Sequence, residues 1–77
     1  MLGNSNEPET TLERLFEEIL RVSGVRERDN FFDLGGTSIE MVELLDRIRD
    51  EFGIDLMLVD LLQDPSPRGI AARFVRY

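Results

Sequence analysis

Asp29-Asn30-Phe31-Phe32-Asp33-Leu34-Gly35-Gly36-Thr37-Ser38-Ile39 decides how this chain is read. Loops are usually polar, so two adjacent phenylalanines and a leucine within one predict a loop pinned onto a core. Phe31, Phe32 and Leu34 are the expected anchors. Val25, earlier in the same connection, is expected to help. Gly35 and Gly36 permit positive φ and leave no side chain beside the hydroxyl that follows. Ser38 then stands where a helical pattern begins. A helix start offers free N–H groups and the positive end of a dipole, which suit a phosphate on that hydroxyl. Serine is also a good plain helix cap, and the tripeptide Gly36-Thr37-Ser38 alone would favour that reading.

Downstream, Met41, Leu44, Leu45, Ile48 and Phe52 fall at offsets 0, 3, 4, 7 and 11, which is one helical face. Glu40, Glu43, Asp46, Arg47 and Asp50 lie on the other. Gly53 is the expected stop. Upstream, Leu12, Leu15, Phe16, Ile19 and Leu20 form another stripe. Thr10 or Thr11 is expected to cap that first helix, with Thr10-x-x-Glu13 at capping-box spacing, and Gly24 is expected to end it. Residues 1–9 read as a disordered lead-in and 10–77 as the domain. A short third helix is expected over Met57–Gln63, with Leu58, Leu61 and Leu62 facing inward. Ser66 should cap a fourth helix with Pro67 at its first position, and Ile70, Ala71 and Phe74 on its inner face. No segment alternates with period two. The fold class is all-α: a small four-helix bundle of three main helices and one short one.

Composition narrows the function. The 77 residues contain no cysteine and no histidine. That excludes disulfides, zinc sites built on thiolate or imidazole, and triads that need Cys or His. No base lies near Ser38 in sequence, so the serine is poorly made to act as a nucleophile unaided. Asp29, Asp33 and Glu40 mimic positions of a calcium loop, but Leu34 stands where its glycine is needed and Phe31 where a ligand is needed, so no metal site is read. The formal charge is −7, and all nine basic residues are arginine. Such a surface is a poor match for nucleic acid and a better one for basic protein partners. No apolar run approaches the ~20 residues of a membrane span. The first residues lack a signal-peptide layout, so a cytoplasmic monomer is expected.

The motif carries a further implication. Asp29, Phe31, Phe32, Leu34, Gly35, Gly36, Ser38 and Ile39 resemble the pattern of peptidyl carrier domains of nonribosomal peptide synthetases and, more widely, acyl carrier proteins. Leu44, Ile48 and Asp64-Pro65-Ser66 extend the resemblance over roughly residues 10–75. It implies an acyl-carrier-protein-like bundle that is not itself an enzyme. It also implies a 4′-phosphopantetheine arm, taken from coenzyme A and attached to Ser38, with Gly35, Gly36 and Thr37 as the loop presenting it. Aminoacyl or acyl groups would ride on that arm as thioesters. The implied partners are a phosphopantetheinyl transferase, an adenylation or acyl-loading enzyme, and condensation, tailoring or thioesterase enzymes. Ile39, Glu40, Met41, Glu43 and Asp46 are the expected partner contacts.

Thr37 departs from the Asp or His common before the family serine, and Glu40 from an apolar residue. The acidic second helix resembles fatty-acid and polyketide carriers, which is the alternative within the family. An unmodified helical adaptor for basic partners is the alternative outside it. The short lead-in and the end at Tyr77 fit a free-standing carrier.

Overall fold

Leu12, Leu15, Phe16 and Ile19 are all buried, and they define the inner face of helix α1, Glu7–Leu20. The computed structural model describes residues 7–74. They form α1, α2 (Ser38–Phe52), α3 (Leu58–Gln63), α4 (Pro67–Ala71) and a closing 3₁₀ turn, Ala72–Phe74, with no strand among the described residues. The all-α bundle expected from the sequence is the observed architecture.

The start of α1 differs from expectation. The helix begins at Glu7, so residues 7–9 are helical and Thr10 and Thr11 lie inside it rather than at its cap. Proline is tolerated in a first turn because its missing N–H has no intrahelical partner there, which lets the helix include Pro8. Glu9 in the first turn also suits the positive end of the dipole. Residues 1–6 of the expected lead-in, and 75–77, lie outside the described residues. The stop differs too. Arg21 takes φ of 59°, and the Val22 N–H donates to the Glu17 carbonyl at 3.2 Å. That is a six-to-one helix closure built on arginine rather than glycine. Gly24, the expected stop, lies beyond the helix end, with a φ of 76°.

The connection to α2 is pinned as expected at Val25 and Phe31, both buried. The Phe31 ring meets Phe16 edge-on, with centroids 5.0 Å apart. Phe32 corrects the expectation: it is 36% exposed, and its ring leans on Phe31 from outside. Adjacent side chains in a turn cannot both enter a core that thin, and Phe31 takes the place. Leu34 is half-buried against the core.

Met41, Leu44 and Ile48 are the buried residues of α2, with Leu45 and Phe52 packed at the edge. Gly53 closes this helix at φ of 69°, as read. Arg14 and Arg47 each bridge both Glu18 and Glu51, a closed ring of four ion pairs. Because residue 14 meets 51 and residue 18 meets 47, α1 and α2 run antiparallel.

In α3 only Leu61 is buried; Leu58 and Leu62 are exposed, contrary to expectation. Helix α3 has only six residues, fewer than two turns, and Leu61 alone takes the inward position. Leu56, in the extended link before α3, fills the core instead. Ser66 caps α4 by accepting the Gly69 N–H at 3.0 Å, Pro67 takes the first position, and Ile70 is buried, all as read. Phe74 packs on Phe52 with centroids 4.7 Å apart.

Candidate functional site

The loop before α2 is folded by local hydrogen bonds. Asn30 Oδ1 accepts the N–H groups of Phe32 at 2.8 Å and Asp33 at 3.1 Å. Leu34 N–H donates to the Asn30 carbonyl, Gly35 N–H to Phe32 and Gly36 N–H to Phe31, at 3.0–3.1 Å. Gly35 has φ of 99°, a conformation costly for other residues. Gly36 is needed for a different reason. A Cβ there would lie 2.4 Å from the Phe31 ring and 2.8 Å from its carbonyl oxygen. The two glycines therefore have separate roles: one makes the turn, and the other lets backbone rest on the anchoring ring.

Thr37, not Ser38, is the N-cap of α2. Its Oγ1 accepts the Glu40 N–H at 3.2 Å, and Glu40 Oε1 accepts the Thr37 N–H at 3.0 Å. Thr37-x-x-Glu40 has capping-box spacing, so the sequence held the signal one residue earlier than the serine that drew attention. Ser38 is the first helical residue and is exposed. Among the described residues its hydroxyl has no hydrogen-bond partner, and the N–H groups of Ser38 and Ile39 are likewise free. The cap thus leaves a bare hydroxyl at the helix start beside two unspent donors. These residues fit a phosphodiester: the donors and the dipole favour negative charge there. The chain has no histidine to activate the serine. No cluster of acidic side chains able to hold a metal occurs among the described residues.

The five expected partner contacts separate into three kinds. Ile39 is 82% exposed, the most exposed large apolar side chain described. Glu43 and Asp46 are exposed on α2, with Asp46 paired to Arg49. Glu40 is half-buried and occupied by the capping box. Met41 is a correction: it is fully buried in the core and cannot meet a partner. Its place in the buried stripe already ruled it out. The sequence reading missed Val42, Met57 and Val59, which are exposed along with Leu58 and Leu62. Val42 lies one turn after Ile39 on α2, and α3 packs against α2. A run of three apolar residues, Met57-Leu58-Val59, at the start of a short helix was the available signal, since such a run cannot bury every member.

A four-helix bundle with an exposed serine hydroxyl at the start of its second helix has a place where a covalently attached group could sit. Residues 10–74 match the family described as the phosphopantetheine attachment site, and the chain belongs to that family. It is a carrier domain of the nonribosomal peptide synthetase kind, and its cofactor is 4′-phosphopantetheine. A dimodular nonribosomal peptide synthase of Bacillus subtilis is 42% identical over 59 residues, which is 77% of this chain and 2% of the relative. Surfactin synthase subunit 3 of the same organism is 37% identical over 71 residues, 92% of this chain and 6% of the relative. The chain thus spans a small fraction of these synthetases. Among solved structures, a peptidyl carrier domain prototype of modular peptide synthetases superposes with a TM-score of 0.79 at 31% identity, covering 87% of this chain and 88% of that one. A complex of the phosphopantetheine transferase Sfp with coenzyme A and a peptidyl carrier protein matches with a TM-score of 0.85 at 27% identity, covering 95% of both chains.

Proposed function

We propose that Ser38 receives the 4′-phosphopantetheine arm, and that Gly35, Gly36 and Thr37 present it. The observation that carries this reading is the division of labour at the start of α2: Thr37 holds the cap, and Ser38 is left exposed with its hydroxyl free. The arm supplies the thiol on which an aminoacyl or acyl group is held as a thioester. The chain itself contributes tethering, which raises the effective concentration of the bound group at every enzyme the arm can reach. It is not itself a catalyst in this reading, and its place of work is the cytoplasm.

The partners follow from the same reading. A phosphopantetheinyl transferase attaches the arm, an adenylation or acyl-loading enzyme charges it, and condensation, tailoring or thioesterase enzymes use the charged form. A solved transferase complex with a similar carrier, and a solved adenylation–carrier structure at 30% identity, support the first two. Ile39, Val42 and the exposed apolar residues of α3 are the surface these enzymes would meet, with Glu43 and Asp46 as the charged margin.

Intact-protein mass tests the proposal directly. Incubation with coenzyme A and a promiscuous transferase should add one phosphopantetheine to the wild type and none to Ser38→Ala. A Ser38→Ala chain that still gains that mass would move the site elsewhere.

A further inference from the structure

The start of α4 grips the loop that carries Ser38 at two backbone points. The Arg68 N–H, one of the donors left over at any helix start, donates to the Glu27 carbonyl at 2.8 Å. The Pro65 carbonyl accepts the Phe31 N–H at 2.7 Å. Phe31 then passes the constraint on, because its carbonyl accepts the Gly36 N–H at 3.0 Å and its ring lies under Gly36. Gly36 is two residues from Ser38. The Pro65 carbonyl is itself held by a small knot. Ser66 is 5% exposed, the one buried polar side chain among the described residues. Its hydroxyl donates to Asp64 Oδ1 at 3.1 Å and accepts the Gly69 N–H at 3.0 Å. A Cβ at Gly69 would lie 2.3–2.5 Å from Asp64, so the knot also fixes the residue type at 69.

We propose that Ser66 is a positioning residue for Ser38: its hydroxyl fixes the Asp64–Ser66 junction, and the Pro65 carbonyl transmits that position through Phe31 to the presenting loop. This rests on the reading of Ser38 as the attachment residue. The consequence is that α4, although remote from the serine in sequence, sets how often the loop stands in the geometry a transferase can use. The path runs from the junction through Phe31 and Gly36 to the backbone two residues before Ser38, while Asp64 of the same junction also closes α3.

The test compares Ser66→Ala with Ile48→Val, a core variant away from the junction, under conditions where both are fully folded. Two quantities are read: amide hydrogen exchange at Phe31 and Gly36, and kcat/KM for phosphopantetheine transfer to Ser38 at saturating coenzyme A. Losing both hydrogen bonds of the Ser66 hydroxyl should speed exchange at Phe31 at least roughly five- to tenfold, and kcat/KM should fall further in Ser66→Ala than in Ile48→Val. Ile48→Val should change both by no more than about twofold once its global stability is allowed for. Asp64→Ala, at an exposed position, removes only the acceptor of the Ser66 hydroxyl and should give the same pattern more weakly. It serves as the variant of record if Ser66→Ala does not fold. Unchanged Phe31 exchange in the junction variant, or a loading loss no larger than that of Ile48→Val, overturns the proposal. Failure of the underlying reading is distinguishable, because then the wild type gains no mass or Ser38→Ala still gains it.

Discussion

Two hydroxyls stand side by side at the start of α2, and their positions assign them different work. Thr37 satisfies the Glu40 N–H, so its removal should cost the usual price of a lost cap, about 0.5–2 kcal/mol. Ser38 makes no such bond, and alanine is the better helix former, so Ser38→Ala should stay within about 0.5 kcal/mol of wild type. Urea unfolding combined with intact mass separates them. Thr37→Ala should be destabilised and still loaded; Ser38→Ala should be stable and unloaded. A stability loss in Ser38→Ala as large as that of Thr37→Ala would show that the serine shares the cap. The neighbouring glycine gives a sharper steric case. In Gly36→Ala the new methyl must displace the Phe31 ring from its edge-on contact with Phe16, an overpacking expected to cost about 1–3 kcal/mol. Gly35→Ala meets no atom within 4 Å and carries only the strain of its positive φ. A thermal melt in which Gly36→Ala is no worse than Gly35→Ala would show that the ring gives way freely.

At the scale of the element, the acidic side of α2 is not uniform. Glu40 accepts the Thr37 N–H, whereas Glu43 makes no side-chain hydrogen bond or ion pair among the described residues and is exposed. Glu43→Lys should therefore leave stability within about 0.5 kcal/mol, while Glu40→Lys loses half of a capping box and costs about 1 kcal/mol. If the face steers basic enzymes, both reversals should slow loading, and the loss should shrink as salt shortens the Debye length below about 8 Å. A loading rate indifferent to Glu43→Lys and to salt would leave Ile39 and Val42 as the surface that matters. Helix α2 was legible in the sequence from Ser38 to Gly53 because its stripe has a strict helical period and a glycine stop. Helix α3 was legible as an element but not by face, since six residues give too few turns for periodicity to choose among Leu58, Leu61 and Leu62. The ends of α1 were misread because Pro8 and Arg21 act against type: one is admitted by a first turn, and the other adopts a glycine conformation. At the site, Ser38 stood out through its glycines, and the capping role of Thr37 was hidden behind it.

The molecule as a whole carries two opposed carboxylate settings, and pH should reveal both. Glu9 and Glu13 of α1 titrate above the ordinary glutamate value near 4.5. Partial burial is the leading cause for each. A hydrogen bond to Glu27 and repulsion from it add to Glu9, with Arg68 opposing. Repulsion from Glu27, Glu9, Glu17 and Asp29 adds to Glu13. Glu18 is set the other way: hydrogen bonds from Arg47 and then Arg14 hold it below the ordinary value. A raised folded pKa means the folded state binds protons that the unfolded state releases. Stability from Glu9 and Glu13 is therefore fully present below the ordinary value and is lost as pH rises through their raised values. A lowered folded pKa gives stability that is present above the ordinary value and lost as pH falls through the Glu18 value. The two slopes oppose each other on the acid side of neutrality, so unfolding midpoints in urea should rise as pH falls through the raised Glu9 and Glu13 values and fall again as pH drops through the lowered Glu18 value. Glu9→Gln with Glu13→Gln should flatten the neutral limb and leave the acid limb, because the ring of Arg14, Glu18, Arg47 and Glu51 that joins α1 to α2 is untouched. Glu18→Gln should do the reverse. A midpoint that only rises from pH 4 to 7 in the wild type would mean that the α1 glutamates are solvated well enough to titrate normally, leaving the ion-pair ring alone to set the pH response.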